Sequence, residues 1–211
     1  KTGIFYFHRG LMSEAEREFR LCLSGFPNNA SARKFLGMVL AKQGKNREAL
    51  PILRSVVNKT KDDIELRLVL AQTLLNLGKK DKALSVLLDS GEKYPEEPNF
   101  AINAAILLIK RGDSKKAAAC LKKLVAHHPD NLGLKRRAAE LYCRIRDWHA
   151  ARSLLLEEIE KEPNPQALRL LSQVCLNMGR KKEARRYLKK LSTMNIPDQV
   201  RQWVESRLKE L

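Results

Sequence analysis

The segments LAKQGKNREAL (residues 40–50), LNLGKKDKAL (75–84) and LIKRGDSKKAA (108–118) share one pattern, a glycine followed five residues later by an alanine. These glycines belong to a series spaced 34 residues apart, which also includes Gly10: Gly10, Gly44, Gly78 and Gly112. Gly179 resumes the series after one residue has been lost. Arg146 takes the glycine's place in the fifth copy. The alanines keep the same register at Ala15, Ala49, Ala83, Ala117, Ala151 and Ala184. One short unit therefore repeats along almost the whole chain.

Each marker residue has a physical role. Glycine takes positive φ at low cost and so permits a turn at a helix end, whereas Arg146 there requires a different turn or carries strain. The small alanine lets two helices approach closely. Proline cannot continue a helix, and it closes most copies, at Pro27, Pro95, Pro129 and Pro163. Lys61 takes the place of proline in the second copy, and Pro197 lies one residue late in the last copy. Apolar residues between the markers follow helical spacing. The pattern predicts pairs of antiparallel helices with turns near Gly44, Gly78, Gly112 and Gly179.

This helix–turn–helix unit resembles the tetratricopeptide repeat (TPR). In residues 30–57 the small and large positions of that family hold Leu36, Gly37, Leu40, Gly44, Ala49 and Leu53. The resemblance implies an all-α fold, a right-handed α-solenoid of antiparallel helix pairs (a TPR superhelix) in which first helices line a concave groove and second helices form the convex back. The pentatricopeptide repeat, an RNA-reading relative, has a longer period and different markers, and it fits less well.

The repeat register also predicts the domain organisation. We expect one continuous solenoid, with a truncated first repeat in residues 1–29 and a C-terminal capping helix in residues 198–211. Five full repeats lie between them, at residues 30–63, 64–97, 98–131, 132–164 and 165–197. The last segment mixes apolar Val200, Trp203, Val204 and Leu208 with charges, as a helix does when it covers the exposed face of a terminal repeat.

Composition limits the classes of partner. The chain has 41 Lys and Arg against 24 Asp and Glu, a net charge of +17, which favours acidic partners. Aromatic residues make up only 6%, which is low for a protein that stacks many bases. Its four cysteines form no CxxC pair and have no histidine at a metal-ligand offset, so we expect free thiols on helices: Cys22, Cys120, Cys143 and Cys175. Free thiols favour the reducing cytoplasm. We expect the chain to belong to a longer protein, with the periplasm as the alternative if a signal or anchor lies outside it.

Partner-facing positions recur in every first helix of the TPR family, and the resemblance transfers them to this chain. The candidates are Lys34, Met38, Leu68, Gln72, Leu75, Ile102, Ile106, Ile109, Arg136, Arg144, Arg169 and Gln173. Apolar residues dominate the middle of this set and arginines its C-terminal third. It therefore predicts a groove for a helix or extended peptide with apolar anchors and an acidic flank. The alternative is that the isoleucines pack between neighbouring first helices. The family's set for gripping a terminal carboxylate is broken here, so we do not predict chaperone-tail binding.

The function predicted is a non-catalytic protein-interaction scaffold, inside a larger assembly or export machine, and a rigid spacer role overlaps with it. The alternative is binding of nucleic acid or another polyanion through the basic convex face, at Lys181, Lys182, Arg185 and Arg186. The simplest interpretation of those charges is a solvated helix face. Adjacent His127 and His128 point about 100° apart on a helix and make a poor metal pair. With Cys143 the only candidate thiol, we predict no enzyme activity, no cofactor and no metal site.

Overall fold

The computed structural model describes residues 1–60 and 62–211, so Lys61 lies outside the described residues. Within them all regular structure is helical, and no strand occurs. The helices are α1 (Thr2–His8), α2 (Met12–Gly25), α3 (Ala30–Lys42), α4 (Asn46–Val57), α5 (Ile64–Asn76), α6 (Lys80–Lys93), α7 (Pro98–Lys110), α8 (Ser114–His127), α9 (Leu132–Arg144), α10 (Trp148–Lys161), α11 (Pro165–Asn177), α12 (Lys181–Ser192) and α13 (Asp198–Lys209). The predicted all-α class is confirmed.

The chain divides into two compact units, unit 1 at Lys1–Tyr94 and unit 2 at Pro95–Leu211. In unit 1 the helices pack as the pairs α1 with α2, α3 with α4, and α5 with α6. In unit 2 the pairs are α7 with α8, α9 with α10, and α11 with α12, and α13 packs on α12. The predicted helix pairs are therefore present in each unit. The exact repeat boundaries and the single continuous solenoid stay predictions.

The turns between paired helices use the predicted glycines. Gly44, Gly78 and Gly112 have φ of 78°, 72° and 80°, in the left-handed region that glycine favours. Arg146 adopts the same conformation with φ of 61°, and Asp147 N–H donates to the Tyr142 carbonyl at 3.0 Å as in the glycine turns. The fifth copy therefore keeps the common turn and carries strain, because a side chain with a Cβ is disfavoured at positive φ.

The first helices begin at a second periodic series of residues that the markers did not include. In each case the side chain accepts a hydrogen bond from a backbone N–H in the first helical turn. Such N-caps stabilise a helix by about 1 kcal/mol each. The series is Asn29, Asp63, Glu97, Asn131 and Asn164.

Close packing within the pairs explains the small residues. All six marker alanines are fully buried, which confirms their packing role: Ala15, Ala49, Ala83, Ala117, Ala151 and Ala184. A Cβ added to Gly37 would lie 2.9 Å from Cδ2 of Leu53, so a side chain there would have to displace the fully buried Leu53. The core of unit 2 continues into α13, where Val204 is fully buried. This places α13 as a cover on the last helix pair.

Candidate partner-binding surfaces

Two candidates on α3 of unit 1 serve the fold itself. The Lys34 ammonium lies 2.5 Å from Oδ2 of Asp63, and both side chains are mostly buried. Asp63 also caps α5 by accepting the Leu66 N–H at 3.0 Å, so the pair joins one first helix to the next. Met38 is 0% exposed. Its prediction as a partner-facing residue is wrong, because its whole side chain packs in the core.

Candidates on α5 of unit 1 keep accessible surface. Leu68 and Leu75 are half-buried, and Gln72 is exposed. The Gln72 amide donates to Asn76 Oδ1 at 2.8 Å, and the Asn76 amide donates to Asn46 Oδ1 at 3.4 Å. This face of unit 1 therefore offers half-buried leucines beside a row of polar amides. The charge of Lys34 is already paired with Asp63 and is not available to a partner.

The apolar candidates of unit 2 lie on α7. Ile102, Ile106 and Ile109 are each half-buried and pack against the core of unit 2. Leu107 and Leu108, on the other side of the helix, are buried. The three isoleucines thus contribute to packing while part of each side chain stays accessible. Their geometry is compatible with both the partner-anchor and the packing interpretations.

Arg136 on α9 belongs to a network that joins three helices. Its Nη1 donates to Oε1 of Glu158 at 2.7 Å and to Oδ1 of Asn164 at 3.0 Å. Asn164 in turn donates to the same Glu158 oxygen at 2.7 Å and caps α11 through Ala167 N–H at 2.9 Å. Glu158 lies on α10 and its side chain is 1% exposed, whereas Arg136 is 31% exposed.

This network gives Arg136 a structural role that its position in the repeat did not reveal. A buried carboxylate costs several kcal/mol unless a cation and hydrogen bonds compensate it. Arg136 supplies that cation, and the second oxygen of Glu158 has no hydrogen-bond partner among the described residues. A partner carboxylate would therefore compete with Glu158 for Arg136.

A pocket of about 360 Å³ lies between α9, α11 and α13 of unit 2. Arg169 and Trp203 form one wall, and the Arg169 guanidinium carbon lies 5.3 Å from the centre of the Trp203 ring. At this distance the cation interacts with the face of the indole, which restricts where the guanidinium points. The pocket is lined by Arg136, Glu140, Gln166, Arg169, Leu170, Gln173 and Trp203.

Charges around this pocket are balanced except at Arg169. Arg136 pairs with Glu158, and Glu140 pairs with Arg137 at 2.7 Å. Arg169 is exposed and has no ion-pair partner in the part of the chain that the structure describes. The structure thus brings Arg169 and Gln173 together at one site with Trp203. The predicted Arg144 is exposed at the end of α9 and does not line the pocket.

Trp203 is a pocket residue that the sequence analysis assigned only to the capping helix. The charge pattern groups it with Val204 on the apolar side of the covering helix. Val204 is fully buried, whereas Trp203 is half-buried and lines the pocket. The available signal was the position of the tryptophan next to Val204, in a helix whose other residues are mostly polar or charged.

The thiols have the predicted free state, and Cys143 is poorly suited to nucleophilic chemistry. Cys22, Cys120 and Cys143 are half-buried and Cys175 is buried, all without a disulfide. Burial, with a smaller effect of the Glu140 charge, raises the pKa of the Cys143 thiol to about 11. The thiol is therefore almost fully protonated near pH 7, whereas the thiolate is the nucleophilic form.

Neither a metal-binding cluster nor a membrane-spanning helix occurs in the described part of the chain. No group of three His, Cys, Asp or Glu side chains there could hold a metal ion. None of the helices described has the length and apolar character that crossing a membrane requires.

The four basic candidates on α12 are exposed. Lys181, Lys182, Arg185 and Arg186 project from the second helix of the last pair, and none forms an ion pair with a described acidic residue. The acidic side chain of that helix, Glu183, is engaged by Arg152 at 2.6 Å and by Arg180 at 2.9 Å.

Sequence comparison adds the family to this geometry. The tetratricopeptide repeat profiles match residues 40–106, 108–173 and 165–195. The chain belongs to the tetratricopeptide repeat family. As a TPR protein it is a scaffold for protein–protein interaction, in a family whose members are typically non-catalytic. Among curated proteins none matches the sequence.

Solved structures show the same fold at low sequence identity. The crystal structure of MamA aligns with a TM-score of 0.62 at 19% identity, covering 77% of this chain and 95% of that chain. MamA from Desulfovibrio magneticus RS-1, residues 41 to the end, aligns with a TM-score of 0.59 at 18% identity, covering 78% and 93%. At this identity the likeness extends to the fold alone, and it supports the TPR helix-pair architecture.

Proposed function

We propose that unit 2 binds a segment of a partner protein that carries apolar anchors beside an acidic residue. The observation that carries this proposal is Arg169, an exposed cation held against Trp203 at the pocket between α9, α11 and α13. The half-buried isoleucines of α7 supply the apolar surface in the same unit. TPR membership supports a protein as the partner class.

The pocket suits a carboxylate next to an apolar group. The planar guanidinium of Arg169 can donate to both oxygens of a carboxylate. Gln166 and Gln173 add amide donors, and Leu170 and Trp203 offer apolar contact. Because Arg136 and Glu140 are already paired within the protein, the net positive charge available to a ligand comes from Arg169.

Selection from randomised displayed peptides tests the proposal directly. Peptides are selected for binding to the parent protein. The affinity of each selected peptide is then measured for the variant Arg169→Glu and for the control variant Arg201→Glu on α13. Arg201 is also exposed and does not line the pocket. We expect winners with Asp or Glu beside an apolar residue, weakened about tenfold or more, roughly 1.4 kcal/mol, by Arg169→Glu only. Winners that lack acidic residues, or that bind both variants equally, would contradict the proposal.

The variant Ile106→Asp separates the two roles of the α7 isoleucines. An anchor role predicts weaker peptide binding with near-parental helicity and melting, because the side chain is only half-buried. Loss of cooperative folding would instead assign Ile106 to the core. The Arg169 measurement is unaffected by that outcome.

We also propose that this scaffold works inside a larger assembly, for which an export machine is one candidate. The support is membership of the TPR family, whose repeats serve protein–protein interaction. Gentle lysis followed by size separation tests this. The chain should elute with a multi-protein complex, and elution of all native material as the free protein would contradict it.

A further inference from the structure

Two rows of cations run along α12, and none of these residues lines the pocket at Arg169. The first row is Lys181, Arg185 and Lys189, and the second is Lys182, Arg186 and Lys190. All six side chains are exposed, and no ion pair to a described acidic residue neutralises any of them. Residues four apart on a helix rise about 6 Å, so each row presents a charge about every 6 Å.

A second pocket opens beside the second row, between α10 and α12. Its volume is about 440 Å³, and its lining is Leu156, Ile159, Glu160, Pro163, Arg186, Tyr187 and Lys190. Tyr187 is 3% exposed, and its hydroxyl accepts a hydrogen bond from Arg186 Nη2 at 2.9 Å. The Arg186 guanidinium also lies 4.9 Å from the Tyr187 ring centre, which holds this cation at the pocket. The result is a pocket with apolar walls at Leu156, Ile159 and Pro163, and its edge carries two cations, Arg186 and Lys190, and one carboxylate, Glu160.

We propose that this face of α10 and α12 is a second binding site, which takes an extended acidic peptide with one apolar residue. Side chains on one side of an extended peptide repeat every two residues, about 6.6 Å apart. Alternate acidic residues therefore match the spacing of the cations in a row. The apolar residue of the peptide enters the pocket formed by Leu156, Ile159 and Pro163. This site lies on second helices and is independent of the pocket at Arg169.

The pocket favours an acidic peptide over a nucleic acid or a membrane. Tyr187 is buried, so it offers no ring face on which a base could stack. A phosphate backbone has no apolar group to fill the pocket, so a nucleic acid would contact only the cations at its edge. A bilayer surface would contact the cations but would leave the recess empty.

The probe is a short fluorescein-labelled peptide with glutamate at alternate positions and one central leucine. Its matched control has serine in place of the leucine. At about 0.15 M salt, where charges are screened beyond about 8 Å, we expect the leucine peptide to bind about tenfold more tightly than the serine peptide, as burial of a leucine side chain implies. The double variant Arg186→Glu with Lys190→Glu should lose about tenfold or more of that affinity.

A matched double variant controls for net charge. Lys115→Glu with Lys122→Glu reverses the same number of exposed lysine or arginine charges on α8, away from this pocket, and it should retain affinity within about twofold. Arg169→Glu should also retain it, which separates this site from the proposed groove function. Equal binding of both peptides, equal loss in both double variants, or no peptide binding would overturn the proposal. Tighter binding of homopolymer RNA or phosphatidylserine vesicles, lost in the α12 variant alone, would assign the face to phosphates and overturn it as well.

Discussion

Replacing Arg136 by methionine tests whether this arginine stabilises the fold. Methionine keeps an unbranched side chain of similar reach but removes the charge and every donor to Glu158 and Asn164. Glu158, 1% exposed, would then be a buried carboxylate without a cation. Breaking a buried pair costs about 3–5 kcal/mol. Because Arg136 itself is 31% exposed, we expect the lower end, about 3 kcal/mol.

Tryptophan fluorescence makes the measurement specific to unit 2, because both tryptophans of the chain, Trp148 and Trp203, lie there. Urea unfolding followed at this signal should show the loss as a lower midpoint at an unchanged slope. The control is Arg137→Met on the same helix, where the pair with Glu140 is 50% and 44% exposed. Exposed pairs contribute little, so we expect a change within about 0.5 kcal/mol.

A compensating change tests the cause of the loss. Adding Glu158→Gln to Arg136→Met removes the buried charge while keeping an acceptor for the Asn164 amide. Most of the lost stability should return. The reasoning is refuted if Arg136→Met and Arg137→Met are equally stable, or if the double variant is no more stable than Arg136→Met alone.

Three further predictions concern the repeat framework. Arg146→Gly should stabilise unit 2 by about 0.5–1 kcal/mol in urea unfolding, because it relieves positive φ; a destabilised variant would show that the arginine makes a compensating contact. Ala83→Leu should cost about 1–3 kcal/mol by overpacking a fully buried site, seen as lower thermal stability by circular dichroism, and an unchanged melting curve would contradict this. The Arg152 and Arg180 guanidinium groups lower the pKa of Glu183 below its ordinary value of 4.5. Glu183→Gln should therefore be less stable than the parent near pH 7, and this difference in unfolding free energy should disappear as the pH falls below 4.5. A stability difference that does not depend on pH would exclude the ion pairs as its cause.

The helix pairs could be predicted because their signals are local and repeated. A glycine at a turn and an alanine at a helix crossing each act within a few residues, and the structure places both in their predicted roles. At Arg146 the same register predicted either a different turn or strain, and the positive φ there selects the second alternative. The N-cap series from Asn29 to Asn164 was equally readable at the same period, and it would have fixed the start of each first helix.

The candidate sites could be predicted less well, because register gives the direction of a side chain but not its depth or its partner. Met38 has a partner-facing register and is nevertheless fully buried. Arg136 has the same kind of register, yet its charge is compensated by Glu158, a residue of the next helix. Trp203 lines the pocket only because α13 packs beside α11 and α12, a tertiary contact that no repeat period encodes.

The central claim is that a ligand carboxylate binds Arg169 against Trp203, and the emission of Trp203 tests it most directly. Trp148→Phe leaves Trp203 as the only tryptophan. Titration of this variant with a selected acidic peptide should change the Trp203 emission in a saturable way, with a midpoint equal to the affinity measured by peptide anisotropy. Adding Arg169→Glu should move the midpoints of both signals to about tenfold or more higher peptide concentration. Peptide binding by anisotropy with an unchanged Trp203 emission, or with full affinity in the Arg169→Glu variant, would contradict the claim.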